Sequence, residues 1–531
     1  MKMKKSLVMC LFAAASGLTD CFAVDAAIRP GGVDGSPFWN RYARMFTYPP
    51  AFDFRPVEGA VRYRFLVHDK VHHCLTQEAD LPTAALTPVW DRIPPGFVAV
   101  WCQGVLSNGQ AVVTRGNWGT DYRLFWKQAP FKPGSYPRPP RPYGEAAEKF
   151  LTWIFDGNAT AFRHFRETGD PHGDWPVGIP ISHYPAKIHS ALIRAGVDFA
   201  VRCPARRDEA MALARVAAEY MQKVSCGKDG PCAGFPPTYE GDSRVCTAYA
   251  GQIMMIYPAD AGKAYLTLAK ATGERRWADA AKLIGETYLK LQGRDGTWPL
   301  KVWAKTGRAS IPNRLQPLAV VDFLERLFAE TGDGRYRAAA DRAFAWVERG
   351  PMRDWNWEAQ YEDAPPSPVP YYNMAGIVAC QAVEHVLRRY PGDEARLGFC
   401  REAMRFVEDQ FICWELPCDE NGFGACTLDK LPTDQPYDYR SWTVPCVLEQ
   451  STYAVPVSAA AGVVIGAYLS LHKATGDPAD LARARAIGDA LVCAQRDNGA
   501  IPDVIATPYY QCWLNDAYTA VEGLRKLAAQ D

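Results

Sequence analysis

The chain has no surplus of charge: 59 Lys and Arg are matched by 59 Asp and Glu, giving a formal net charge of +0 and a pI near 7.1. That balance excludes the broad basic footprint with which proteins hold nucleic acid or anionic membrane, so neither is expected as a partner. Long apolar runs are also missing. No stretch beyond the leader approaches the roughly 18 uninterrupted apolar residues of a membrane-spanning helix. Neither Cys-x-x-Cys nor His-Glu-x-x-His spacing occurs, so the common zinc frameworks are excluded, and no metal or cofactor is called for.

Aromatic residues are plentiful: 12% of the chain, with 16 Trp, a load that suits stacking on sugars as well as large cores. A length of 531 residues leaves room for two or more domains. Residues 1–23 read as a signal peptide, with Lys2, Lys4 and Lys5 ahead of the apolar run Leu7 to Ala15, so export to the periplasm or exterior is expected. Sixteen cysteines less the two in that leader (Cys10 and Cys21) leave fourteen. Bridges are plausible for Cys74 with Cys102, for Cys226 with Cys232, and among Cys413, Cys418, Cys426 and Cys446. Cys380, Cys400 and Cys493 suit buried thiols on helical faces.

Residues 33–127 have the pattern of a small β-sandwich of immunoglobulin or fibronectin-III type, with strands at Val61–Val67, Val98–Gly104 and Tyr122–Trp126. A proline-rich linker, 128–142, follows. From 143 to 531 the chain reads as helical, with segments at 143–157, 186–202, 205–224, 258–271, 275–292, 312–330, 334–349, 371–389, 394–411, 455–474, 479–495 and 513–529. The helical part has an imperfect repeat of about 60 residues, and one phrase recurs in it: Thr272-Gly273-Glu274, Thr331-Gly332-Asp333 and Thr475-Gly476-Asp477. Glycine there ends one helix and the acid opens the next. Gln292 to Gly296 is echoed by Gln495 to Gly499.

Every second connector is such a tight turn, so neighbouring helices run antiparallel and the long loops all emerge at one rim. Segments 371–389 and 455–474 are apolar nearly all round, as inner helices would be, whereas 275–292, 334–349 and 479–495 carry one charged face. Twelve helices alternating outer and inner describe an (α/α)6 toroid. Tyr184-Pro185, Tyr257-Pro258 and Ile311-Pro312 have the form of inner-helix starts aimed at the decorated rim.

In this alternation the chain resembles the six-hairpin glycosidase superfamily and the polysaccharide lyases that share its toroid. Gly296-Thr297-Trp298-Pro299 is similar to a Gly-Trp-Pro phrase of some pectate lyases, and Phe52-Asp53-Phe54 resembles the opening of fibronectin-III-like modules in polysaccharide-degrading enzymes. The resemblance implies cleavage of glycosidic bonds in a cleft at the decorated rim.

The residues on those loops suit that chemistry. Glycoside hydrolysis needs a proton donor and a second carboxylate. Glu358, Glu362 and Asp363 are eligible in one loop and Glu449 in another, with Trp355 and Trp357 as stacking platforms. Tyr371, Tyr372, Asn373, Gln450, Tyr453, Tyr184, Lys187 and Trp513 join by position, with Asp503, Asn515 and Asp516 completing the ring. Trp298, Lys301, Asn313 and Arg314 would hold a sugar carboxylate. The sequence reads as an enzyme cleaving a poly- or oligosaccharide by carboxylate acid–base catalysis. A lyase or epimerase on uronic-acid glycans remains open, with Tyr184, Tyr372 or His183 as base. So do a non-catalytic glycan-binding protein and an isoprenoid cyclase. The oligomeric state is not legible.

Overall fold

The structure, a computed structural model, describes residues 42–71, 73–116, 121–157, 159–172, 181–364, 366, 370–420, 424, 439–506 and 511–531. The expected signal peptide at 1–23 lies outside them, as does Cys426. No helix among the described residues is long and apolar enough to cross a membrane.

Six inner helices form the ring: α3 (Pro185–Arg202), α6 (Tyr257–Thr272), α8 (Leu318–Thr331), α11 (Gly376–Arg389), α13 (Ser458–Thr475) and α15 (Leu514–Ala528). Each packs on the next, and α15 returns to α3, which closes the circle. Outside them lie α4 (Arg207–Val224), α7 (Arg275–Leu291), α9 (Gly334–Arg349), α12 (Glu394–Phe411) and α14 (Pro478–Ala494), each paired with the inner helix before it. The sixth outer position is α1 (Tyr143–Thr152), packed on α15 and continued through a π-turn at Trp153–Gly157 into α2 (Ala159–Thr168), a helix the sequence pattern does not signal. Two short helices, α5 (Arg244–Ala248) and α10 (Pro351–Asp354), sit in the long loops. Among the described residues the (α/α)6 toroid is therefore closed.

The turn chemistry works as the repeat implies. Gly273, Gly332 and Gly476 end their helices in the left-handed conformation at φ near +73°, +71° and +73°. Asp333, Asp393 and Asp477 cap the helices that follow through their side chains. Gln292 Nε2 donates to the carbonyls of Gly296 and Ala339, and Gln495 Nε2 to those of Gly499 and Ala146. The same glutamine thus pins the same turn to the neighbouring outer helix on opposite sides of the ring. A Cβ on Gly296 or Gly499 would meet a backbone carbonyl at 2.4 Å, so that close approach requires glycine.

Three inner helices start later than the pattern predicts, at 318, 376 and 458 rather than 312, 371 and 455. Their entry segments are extended and bridge to loop residues: Arg314 to Pro299, Met374 to Glu358, Val457 to Val504. Backbone pairing satisfies groups that a longer helix would leave unpaired at the rim. Pro312 therefore does not open α8, whereas Pro185 does open α3 and Pro258 sits in the first turn of α6.

The N-terminal strands are β1 (Met45–Phe46), β2 (Ala60–His68), β3 (Cys74–Ala79), β4 (Gly96–Leu106), β5 (Ala111–Val113) and β6 (Tyr122–Lys127). They make one sheet, ordered β1-β6-β4-β2-β3, with β5 also on β4 and the β1–β6 pair parallel. Two facing sheets, as a sandwich requires, are not found among the described residues. The core face is instead covered by irregular chain: Phe52, Phe54, Leu86, Val89, Trp90 and Ile93 close over Phe65, Val67, Val98, Val100 and Phe125. This unit is tied to α12, where Asp409 Oδ1 accepts the backbone N–H of both Thr47 and Tyr48 at 2.8 Å. In the linker, Phe131 rests against Trp414 with ring centres 4.6 Å apart.

Cys74, Cys102, Cys226, Cys232, Cys413 and Cys446 are thiols, so the bridges expected of Cys74 with Cys102 and Cys226 with Cys232 are not formed, nor is one between Cys413 and Cys446. Cys74 and Cys102 lie on β3 and β4 with β2 between them. Cys413 and Cys446 do face each other across a short antiparallel pair, as thiols.

Candidate functional site

A cavity of about 1140 Å³ occupies the bore of the ring. Its wide end is the decorated rim, lined by Tyr184, Lys187, Tyr257, Tyr361, Glu362, Asp363, Glu449, Gln450, Tyr453, Asp503, Trp513, Asn515 and Asp516. The alternation of tight and long connectors dictates this convergence, because each inner helix begins at that rim.

Lys187, one turn into α3, is the buried cation of the site. Its Nζ donates to Glu362 Oε1 at 2.5 Å and stands 4.2 Å from the centre of the Trp513 ring, with Tyr184 and Tyr257 alongside. Tyr257 Oη donates to the other oxygen, Glu362 Oε2, at 2.6 Å. Burial alone would raise the Glu362 pKa, but the charge and hydrogen bond of Lys187, with Tyr257, bring it below the usual glutamate value. Glu362 is therefore a carboxylate.

Glu449 has the opposite fate. Burial pushes its pKa well up, and Asp516, Glu362 and Asp363 push the same way, with Lys187 only partly offsetting them. Tyr361 Oη fixes the backbone here by donating to the Glu449 carbonyl at 2.9 Å. Asp516, in the first turn of α15, is raised by burial to about 6, its charged form aided by Lys187 and opposed by Glu362. Asn515 Nδ2 donates to Asp516 Oδ1 at 2.6 Å. Asp503 is raised to about 8 by burial and by Asp516. Asp363 is also raised, by burial and by Glu362. One cavity thus holds a carboxylate brought below its usual value beside carboxyls that burial raises above theirs.

The loop carrying Glu362 is clamped from behind. Lys301 Nζ donates to the carbonyls of Glu362 at 2.7 Å and Ala364 at 2.9 Å, beneath the ring of Tyr249 at 3.5 Å. Tyr239 Oη donates to the same Glu362 carbonyl at 2.7 Å. Lys301 has 0% exposure, so it is a clamp for the loop and not the expected sugar-carboxylate binder. Burial brings its pKa down to about 8.

Of the residues read from the sequence, Glu362, Asp363, Glu449, Gln450, Tyr453, Tyr184, Lys187, Trp513, Asp503, Asn515 and Asp516 line this cavity. The others do not. Trp298 and Trp357 are fully buried core plugs, and Trp298 Nε1 donates to the Tyr288 carbonyl, so neither ring can meet a sugar. Trp355 turns outward, at φ +62°, against Phe399 and Phe406. Glu358 accepts from Asn313 Nδ2 at 2.6 Å, and Arg314 is paired with Asp295, all outside the lining. Tyr371 and Tyr372 lie beyond the lining, Tyr372 edge-on to Tyr42 at 4.9 Å. Asn373 stands behind Gln450, donating to its Oε1 at 2.5 Å.

Tyr257, Tyr239 and Tyr249 are the functional neighbours that sequence reasoning missed. Tyr257 had a signal, since it occupies the same place in its helix start as Tyr184 does. Asp503 and Asp516 were placed on the ring without a role. Among the described residues no three His, Cys, Asp or Glu side chains stand as a metal-ligand group.

No family model and no curated protein matches the chain. Among solved structures it is similar to a family 76 glycoside hydrolase from a bovine Bacteroides thetaiotaomicron strain, at 12% identity over 88% of this chain and 93% of that one, with a TM-score of 0.48. It is similar to the cellobiose 2-epimerase of Spirochaeta thermophila, at 13% identity over 73% and 98%, TM-score 0.49. A third is an unsaturated glucuronyl hydrolase specific for heparin, at 11% identity over 73% and 97%, TM-score 0.44.

Proposed function

We propose that this protein is an exported carbohydrate-active enzyme that hydrolyses glycosidic bonds in a poly- or oligosaccharide at the wide end of the toroid. The observation that carries this reading is the convergence of Glu449, Asp516 and the Lys187–Glu362 pair on one cavity, in surroundings that differ for each carboxyl. Carboxyls whose surroundings drive their proton affinities apart are what acid–base cleavage of a glycoside needs. Glu449, whose hold on its proton burial and the neighbouring acids strengthen, is the proton donor to the leaving oxygen. Asp516, held near neutrality's acidic side by Lys187, is the carboxylate that takes a proton from water. As the bond from the anomeric carbon to the glycosidic oxygen breaks, the water oxygen bonds to that carbon, and the Glu449 proton ends on the departing hydroxyl. Glu362 stays paired with Lys187 and sets the charge of the site. Trp513 and Tyr453 offer apolar faces to the sugar.

The uronate lyase or epimerase reading has less support. Of the residues it would use, Arg314 is paired with Asp295 and Tyr372 stands outside the cavity.

A panel of glycans incubated with the purified protein, read for new reducing ends and for the ultraviolet absorbance of unsaturated uronides, tests the proposal. Hydrolysis gives reducing ends without absorbance. Glu449→Gln and Asp516→Asn are each expected to lower the rate by about 10²–10⁴-fold with the fold intact. Product absorbance would make it a lyase. Wild-type rates in both variants would remove these carboxyls from the chemistry, and binding without any product would leave a glycan-binding protein.

A further inference from the structure

The mouth of the cavity is short of positive charge. Lys187 is already held by Glu362, and the other cation at this end, Arg244, stands on its exposed edge. Facing them are the carboxyl groups of Asp363, Glu449, Asp503 and Asp516, none of them in an ion pair of its own among the described residues; Lys187, and for Asp363 also Lys301, act on them at longer range. Farther down the bore the charges are matched: Lys263 with Asp260, Arg194 with Glu522, and Lys526 with Glu384. The excess is therefore local to the wide end.

A second observation points to a ligand. Asp503 is 7% exposed and lines the cavity, yet its Oδ1 has no hydrogen-bond partner among the described residues. Nearby on the same wall, Asn515 gives its Nδ2 to Asp516 and leaves its buried Oδ1 equally unpartnered. Backbone explains where Asp503 sits, since Ser458 at the start of α13 donates its N–H to the Asp503 carbonyl at 2.8 Å. The Asp503 carboxyl also meets the backbone N–H groups of Asp503 and Val504, which leaves Oδ1 as its open acceptor. Buried acceptors without donors are costly, so such a pair is retained where a ligand supplies the missing N–H or O–H groups. These acids do not stand as metal ligands, and a uronate would add a further negative charge.

We propose that the sugar bound at this mouth carries a free primary amine, as in a deacetylated hexosamine, with its ammonium seated against Asp503, Asp516 and Asn515. This deepens the hydrolase reading by naming a substrate class and rests on the same cavity. A primary ammonium brings three donors and one positive charge to a wall of acceptors. An N-acetylated sugar brings one donor and no charge. Binding the ammonium favours ionisation of Asp503 and Asp516, so binding releases protons between about pH 6 and 8.

The test is calorimetric titration of the wild-type protein with glucosamine and galactosamine oligosaccharides, their N-acetylated forms, and uronate oligosaccharides of equal length. The free-amine glycan of one of the two sugars is expected to bind at least about tenfold more tightly than its acetylated form. Proton release should appear as a dependence of the heat on buffer ionisation. Asp503→Asn should erase that preference by weakening the free-amine glycan at least about tenfold more than the acetylated one. Equal or tighter binding of acetylated or uronate glycans, or no binding of amine glycans at millimolar concentration, overturns the inference. The two readings fail separately: cleavage without amine preference sinks only this one, and amine binding without cleavage sinks only the hydrolase.

Discussion

Lys187 and Glu362, 175 residues apart in sequence, form an ion pair of 2.5 Å inside the cavity mouth. Both are nearly out of reach of bulk water, so removal of one strands the other. Lys187→Met is expected to destabilise the fold by about 3–5 kcal/mol. The double variant Lys187→Met with Glu362→Gln should recover part of that loss, because no buried charge is left over. Thermal melts of the two proteins check this, and a double variant less stable than the single one would contradict the pair's role. Loss of Lys187 also removes the cation that favours ionised Asp516. The acidic limb of the pH–rate profile should then move to higher pH.

The carboxyls that burial raises make the unliganded fold prefer acid. Asp503 rises from 3.8 to about 8 and Asp516 to about 6, both through burial first. Asp409, buried where the sheet meets the toroid, also rises to about 8 through burial. Each raised acid binds its proton more tightly in the folded chain than in the unfolded one. Stability from these groups is therefore present below about pH 4 and is lost as pH climbs toward 8. Carboxylates held low by partners, such as Glu362, act in the opposite sense and fail at more acidic pH. The melting temperature should fall from pH 5 to pH 8, and Asp503→Asn should flatten the slope. A wild-type melting temperature that rises across this window would contradict the assignment.

How far the sequence carried can be seen in particular residues. The tight turns at Gly273, Gly332 and Gly476 declare themselves through local chemistry, and a ring of alternating helices follows from them. Glu362, Asp363 and Glu449 were found because loop direction alone puts them at one rim. Burial within that rim was not legible. Trp298 and Trp357 have the composition of sugar platforms and are hairpin plugs, because a loop's register against its neighbours decides which face of an indole is covered. Lys301 was misread for the same reason, since its partners are backbone carbonyls 61 and 63 residues away. Where strand spacing suggested a sandwich, the described residues cover the sheet with irregular chain around Phe52 and Trp90, whose apolar content a pattern cannot tell from strand.

The two kinds of tryptophan are separable by experiment. Trp298→Ala removes a fully buried indole and its bond to the Tyr288 carbonyl, so a loss of about 3–5 kcal/mol in stability is expected. Kinetics of the surviving folded protein should stay near wild type. Trp513→Ala, at the cavity wall, should instead raise KM several-fold with a smaller change in melting temperature. The reverse pattern would return Trp298 to the binding site.

Lys301 acts on the chemistry through the loop it holds. Its ammonium bonds the carbonyls on either side of Asp363, and Tyr239 shares one of them. Lys301→Met leaves those carbonyls without their charged donor and frees the Glu362 side chain to drift from Lys187. A displacement of about 1 Å can cost on the order of 10²-fold in rate, so kcat should fall by roughly that factor. The pKa values read from the pH–rate profile should barely move, because Lys301 faces backbone and not the reacting groups. Lys301→Arg, which keeps the charge and the donors, should restore part of the rate. A shifted profile with unchanged kcat would instead make Lys301 a member of the titrating site.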